Sequence, residues 1–264
     1  MGRFAIACAA LLLGATVEVA AQKIDPLTQA RTFYNQRDFS GAVSAADLAR
    51  AVPARADSAD LIGARAYLER YRESAAPGDL DSARERLRRL DPQRLGFRER
   101  TEFIIGLGEA LYFDGSYGAA ADVFESVLTR GDALAADTRE SALDWWATAI
   151  DRDARSRPEA ERQQRYARVR DRMSAELGTQ PGSTAASYWL AAAARGLGDT
   201  HGAWDAAQAA WVRAPLAADR GAALRADIDR LVLTGIVAAR AKAVAKTEDQ
   251  VRQEWEDFKA KWTR

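Results

Sequence analysis

Ile105-Gly106-Leu107-Gly108-Glu109-Ala110-Leu111-Tyr112-Phe113-Asp114-Gly115-Ser116-Tyr117, followed by Ala120, Phe124 and Val127, is the stretch that decides the fold. Leu107 and Leu111 lie four apart, and Ala120, Phe124 and Val127 follow at intervals of four and three. Both are spacings that bring residues to one face of a helix. Between the two runs, Gly115-Ser116-Tyr117 before Ala120 reads as a short turn. The stretch is therefore a helical hairpin. Gly108 and Ala120 are small enough to sit where the two axes cross, while Leu107, Leu111, Phe124 and Val127 fill the layer beside it. A single hairpin cannot bury its own apolar stripe, so this one requires neighbours of the same kind.

The neighbours are in the sequence. The same order of apolar segment, short Gly/Asp turn and alanine-led segment recurs at Arg37-Asp38-Phe39 before Ala42, at Gly78-Asp79-Leu80 before Ala83, and at Gly198-Asp199-Thr200 before Ala203. A degenerate turn, Ser156-Arg157-Pro158-Glu159-Ala160, supplies one more. The leading alanines (Ala42, Ala83, Ala120, Ala160, Ala203) are then 41, 37, 40 and 43 residues apart. Two helices per unit at this period mark an α-solenoid. No segment after residue 21 shows the sustained alternation of a strand. Alanine, the strongest helix former, makes up 58 of the 264 residues.

Leu107-Gly108 with Ala120, Phe124 and Val127 resembles the tetratricopeptide repeat family. So do Ala30 and Phe33 with Phe39, Ala42, Ala46, Ala49 and Pro53, and Leu190-Ala191 with Ala203, Ala207 and Ala210. Ala64 and Tyr67 with Ala83, Leu87 and Leu90 follow the pattern with an insertion, Ser74-Ala75-Ala76-Pro77, before the turn. The resemblance spans Ile24 to Ala214 and implies a right-handed solenoid of about five hairpins over residues 22–214. It also implies a concave face lined by the first helix of each hairpin. The corresponding positions are Leu27, Arg31 and Tyr34; Ile105, Glu109 and Tyr112; and Tyr188, Ala192 and Arg195. The Lys, Asn and Arg set with which one subgroup clamps a C-terminal carboxylate is absent, which disfavours recognition of chaperone tails.

Residues 215–264 depart from the repeat and read as closing helices. Ala222 to Val237 carries Leu224, Ile228, Leu231, Val232 and Ile236 at helical spacing, and a weaker helical stretch follows to Ala245. Thr247-Glu248-Asp249-Gln250 is a capping box. It opens a charged helix whose single apolar stripe is Val251, Trp255, Phe258 and Trp262. A solenoid needs such a half-polar helix to cover its last hairpin; docking of a partner is the other use of the stripe.

The first residues read as an address. Arg3, the apolar run from Phe4 to Ala15, and Val19-Ala20-Ala21 before Gln22 have the order of a secretory signal peptide. The expectation is cleavage after Ala21, and a periplasmic or secreted chain without a transmembrane helix. Cys8 follows Arg3 too closely for a lipidation site and reads as part of the apolar run. It is the only cysteine, so disulfide scaffolds and multi-cysteine zinc sites are excluded. With 38 basic and 38 acidic side chains the net charge is zero, which argues against a general nucleic-acid binder.

Candidate chemistry is thin. The single histidine, His201, sits in a turn with no nucleophile arranged around it. Gly106-Leu107-Gly108 and Gly196-Leu197-Gly198 lie within or at the end of helices and follow no strand, so neither is a phosphate loop. Glu102 with Glu109 and Asp151 with Asp153 are the carboxylate pairs considered for glycosidase chemistry. Arg84-Glu85-Arg86 and Glu161-Arg162 read as solvated helix faces. Trp145 and Trp146 are adjacent, hence about 100° apart on a helix, so one enters the core and the other faces the groove. No cofactor, metal or catalytic residue is assigned.

The reading that follows is a non-enzymatic protein–protein interaction scaffold of the bacterial cell envelope or periplasm. It holds a protein or peptide segment in its groove through Arg31, Tyr34, Glu109, Tyr112, Trp146, Tyr188 and Arg195. The alternatives are an enzyme or accessory factor of envelope polymer metabolism, marked by a buried carboxylate or histidine of shifted pKa in a deep pocket, and an outer-membrane assembly lipoprotein.

Overall fold

A computed structural model describes residues 24–129 and 134–263. The signal-peptide reading, its cleavage point and Cys8 lie outside the described residues. Within them the chain is all α-helical and contains no strand. Five helix pairs come first: α1 (Pro26–Asn35) and α2 (Phe39–Arg50), α3 (Ala56–Ser74) and α4 (Pro77–Arg89), α5 (Phe97–Phe113) and α6 (Tyr117–Thr129), α7 (Ala136–Ala154) and α8 (Glu159–Thr179), α9 (Thr184–Gly196) and α10 (Thr200–Arg213). After them come α11 (Ala222–Leu231), α12 (Val237–Ala243) and α13 (Glu248–Trp262). A π turn, Val232–Ile236, joins α11 to α12 without a break.

Each helix packs on the next in sequence, and the odd-numbered helices from α1 to α11 also touch one another in succession. The odd helices thus make a layer of their own, on which the candidate site is built. No described helix is long and apolar enough to cross a membrane.

The local causes repeat from pair to pair. Asp38 and Asp199 cap α2 and α10 alike, each accepting a 2.8 Å hydrogen bond from the N–H of the glycine three residues on. As placed, the capping carboxylates fill the space that a Cβ at Gly41 or Gly202 would take. Gly115 and Gly198 turn the chain with φ of 79° and 75°, a left-handed conformation that glycine adopts without cost. Arg37 stands at the equivalent place with φ 62°.

The crossing points are as the spacing predicts. The ring of buried Phe124 lies so close to Gly108 that a Cβ would come within 2.7 Å of it, and Tyr166 covers Gly196 in the same way. The turn expected at Gly78-Asp79-Leu80 is instead made at Ala75, with φ 53°, and Pro77 opens α4. Proline suits the first helical position, where its missing N–H would have no partner, so Gly78 and Asp79 fall inside the helix. The Ser156–Pro158 turn is present between α7 and α8.

Arg84-Glu85-Arg86 is not the wholly solvated run that its charges suggest. Arg86 is buried and reaches Asp47 at 2.5 Å and buried Asp60 at 3.6 Å; Arg89 and Arg50 also hold Asp60. Several guanidinium groups around one carboxylate lower the cost of taking it from water. The same network lets the polar α4, which has few apolar residues, pack on α3.

The largest core runs from α5 to α13. At its far end Val251 and Trp255 of α13 are fully buried against α10 and α12, and the Trp255 indole donates a 2.9 Å hydrogen bond to Asp229. Phe258 is half-buried, and Trp262 is 49% exposed. The capping box is formed in both directions, Gln250 N to Thr247 Oγ1 at 3.2 Å and Thr247 N to Gln250 Oε1 at 2.9 Å. Val251 and Trp255 thus seat α13 on α10 and α12.

Candidate partner-binding groove

The face of the odd-numbered layer begins at α1. Arg31 extends to Glu99 of α5 at 2.8 Å. Tyr34 lies beneath the guanidinium of Arg65, 4.5 Å from the ring centre, and Arg65 in turn binds Glu102 at 2.9 Å. Burial pushes the Tyr34 hydroxyl up to about 12 despite the pull of Arg65. These groups line a cavity of about 510 Å³ that also takes in Arg98 and the exposed Phe97.

Glu109 and Tyr112 occupy the middle of the face. Burial raises the Glu109 carboxyl to about 7; the charge of Arg65 opposes the shift, Glu69 adds to it, and Arg72 and the Trp145 side chain oppose it. Tyr112 stands edge-on to Trp145 at 5.1 Å, with Phe113 and Tyr117 beside it. Trp145 is stacked on Phe124 at its other side.

The adjacent tryptophans are distributed as the helix geometry requires, but Trp146 is the one that goes inside. It is 0% exposed, among the core residues of α6 to α9. Arg168 and Arg172 lie over its ring and complete the enclosure. Trp146 therefore cannot meet a partner, and Trp145, half-buried beside Tyr112 and Glu109, takes that place. Ile105 and Ala192, two positions of the expected groove, are also buried.

Tyr188 and Arg195 belong to the far end. Arg195 is exposed and lies across the π turn, where a Cβ on Gly235 would meet its guanidinium at 2.6 Å. Tyr188 lines a cavity of about 1110 Å³ bounded by the first turns of α7, α9 and α11, the end of α8 and the segment 216–219. Asp144 lies in this cavity and accepts a 2.8 Å hydrogen bond from the Trp189 indole. Burial raises its pKa, with Asp227 and Glu140 adding to the rise.

The predicted residues thus fall into three groups along one layer: Arg31 and Tyr34, Glu109 and Tyr112, and Tyr188 and Arg195. Trp145 joins them in place of Trp146, and Arg65, Asp144 and Asp227, which were not singled out from the sequence, join them too. Arg65 and Asp144 sit on first helices at the face-lining spacing, which is the signal that could have found them.

His201 is exposed in the first turn of α10, 3.0 Å from Asp205. Of the carboxylate pairs, Glu102 is tied to Arg65 and Arg98, Asp151 accepts from the Tyr166 hydroxyl, and Asp153 is held by Arg157 and Arg165. Among the described residues no group of three or more His, Cys, Asp or Glu side chains could hold a metal ion. No protein-family model, curated protein or solved structure matches this chain.

Proposed function

We propose that the protein is a non-enzymatic interaction scaffold that holds a segment of a partner protein along the face of its odd-numbered helices. The observation that carries the reading is the row of partly exposed aromatic side chains on that face. Tyr34, Tyr112, Trp145 and Tyr188 come from α1, α5, α7 and α9 and are flanked by charged groups. Rigid aromatic rings with a polar edge give large contact area at little entropic cost, the usual anchors of protein interfaces. The succession of helix pairs, with odd helices in mutual contact, supports a right-handed solenoid similar to tetratricopeptide proteins. The order of residues in 1–21 supports an envelope or extracellular setting.

A second reading draws on Glu109. A carboxyl group with a pKa of about 7 is the kind of acid that a hydrolase uses. It lines neither of the two large cavities, so no space for a substrate opens beside it there. The scaffold reading is accordingly the better supported.

Photo-cross-linking residues placed at Tyr112, Trp145 and Tyr188, with expression in a bacterial envelope, test it. Cross-links to one partner from these positions, and none from the exposed Leu48 on α2, are the expected result. Equal cross-linking from both faces, or none from either, would refute it.

A further inference from the structure

The cavity at the α7, α9 and α11 end differs in charge from the rest of the face. Near α1 to α5 three glutamates have arginine partners: Glu99 with Arg31, Glu102 with Arg65, and Glu69 with Arg72 at 2.5 Å. The larger cavity is lined by six carboxylates against one guanidinium, and that guanidinium, Arg139, is taken by both oxygens of Glu176 at 2.5 and 2.6 Å. No basic side chain among the described residues forms an ion pair with Asp137, Glu140, Asp144 or Asp219. Asp227 has only the outward Arg230, at 3.3 Å.

What holds these carboxylates is neutral. Glu140 accepts from the N–H groups of Thr184 and Ala185, Asp219 from those of Gly221 and Ala223, and Asp144 from the Trp189 indole. Such bonds fix the orientation of an anion without cancelling its full charge. Two of them also face helix N-termini, whose partial positive charge offsets Glu140 and Asp219. The least compensated carboxylates are therefore Asp144 from α7 and Asp227 from α11, which line the cavity together with Tyr188 from α9. Asp227 and Glu140 each make the Asp144 charge harder to form, as expected where like charges line one cavity.

The rest of the lining is apolar: Leu134, Leu216, Leu224 and several alanines, with Leu216 exposed at the rim. At about 1110 Å³ the space exceeds what one small molecule fills.

We infer that this cavity is the docking site for an extended basic–apolar segment of the partner protein, with a lysine or arginine seated between Asp144, Asp227 and the ring of Tyr188. Two carboxylates and an aromatic ring lining one cavity suit a guanidinium or ammonium group, by ion pairing and by cation–π attraction. The apolar lining accepts the neighbouring side chains. The inference rests on the scaffold reading and specifies which end of the face selects the partner, and by what chemistry.

The test uses the chain lacking residues 1–21 and three ten-residue peptides, read by fluorescence anisotropy. One alternates Arg and Leu, the second alternates Glu and Leu, and the third alternates acetyl-lysine and Leu. The first should bind at least tenfold more tightly than the other two and weaken with added salt. Asp144→Asn/Asp227→Asn should reduce its affinity tenfold or more, while Arg65→Gln at the opposite end leaves it within twofold. Asparagine can still accept from the Trp189 indole, and an unchanged circular dichroism melt certifies the fold. Tyr188→Leu, which leaves the charges in place, should weaken the arginine peptide by a smaller factor.

Equal binding of the three peptides, or an unaffected double variant, would overturn the inference. So would spermidine displacing nothing at the peptide site while the double variant still binds. Cross-linking to a partner from Tyr112 and Trp145 alone, with no preference for basic peptide, would sink this inference and leave the scaffold reading intact. No cross-linked partner at all would sink that reading instead.

Discussion

Replacing Trp255 by alanine tests whether α13 closes the fold. The indole is 0% exposed. It meets Trp204 at 5.7 Å and Trp211 at 5.6 Å edge-on, and Phe258 at 5.6 Å in a stack. A tryptophan buries on the order of 200 Å², which at about 25 cal/mol per Å² is worth roughly 5 kcal/mol before strain and relaxation. Truncation of buried aromatic residues costs about 3–5 kcal/mol in practice. Asp229 would lose the indole donor but keep Lys259 at 2.6 Å, so the polar loss adds little. Because α13 touches mainly α10 and α12, the damage should begin locally, with α13 detaching before the helices near α1 unfold. The assay is thermal unfolding followed at 222 nm and by tryptophan emission, with limited proteolysis beside it. The expected result is an early transition and cleavage within 248–262. Trp262→Ala, at a half-exposed position, should cost less than about 1 kcal/mol. A melting curve and protease resistance unchanged by Trp255→Ala would refute the closing role and return the stripe to partner docking.

Three further substitutions probe other parts of the structure. Gly108→Ala drives a Cβ to 2.7 Å from the buried Phe124 ring and should destabilise by about 1–3 kcal/mol in denaturant titration, as overpacking does. Trp146→Ala should cost about 3–5 kcal/mol, whereas Trp145→Ala should lose less stability but more partner capture; the reverse order would put the wrong indole in the groove. Glu109→Gln has a pH signature in thermal melts. Its folded-state pKa of about 7 lies above the ordinary 4.5, so the contribution of this group to stability is full below 4.5 and is lost as pH rises through 7. The variant should match the wild type near pH 4.5 and exceed it at pH 8.5, by up to about 3 kcal/mol.

The helix pairs were legible because each is specified locally. In Asp38-x-x-Gly41 and Asp199-x-x-Gly202 the aspartate carboxylate accepts from the N–H three residues on, and Gly108 and Gly196 mark crossings through their lack of a side chain. The turn before α4 was misplaced because Gly78-Asp79 imitates a turn while Pro77 fixes the helix start. Arg86 looked solvated because its anionic partners, Asp47 and Asp60, lie 39 and 26 residues away in sequence. The Trp145-Trp146 pair shows the same boundary. Periodicity says that one ring is inside and one outside, but the phase of α7 is set by α6, α8 and α9 together. Half of the site was therefore readable, the half that depends on the position of a residue within its own repeat. The acidic cavity depends on segments from α7 to α11 and had no local signature.

That cavity also shows how a charge balance should be read. Equal numbers of acidic and basic residues bound the long-range field of the molecule and argue against a polyanion ligand. They say nothing about how charges are distributed over one face. Here arginines match the glutamates between α1 and α5, and neutral N–H donors hold the carboxylates between α7 and α11. The two arrangements contribute similarly to order within the fold, but differently to recognition. An ion-paired carboxylate has given up most of its attraction for a further cation. One held by an indole or amide N–H keeps a greater share. A neutral chain can thus present a selective cationic slot at one end of its groove, provided its cations are spent elsewhere. The exposed arginines nearest the other end, Arg31 and Arg98, are already engaged with Glu99 and Glu102.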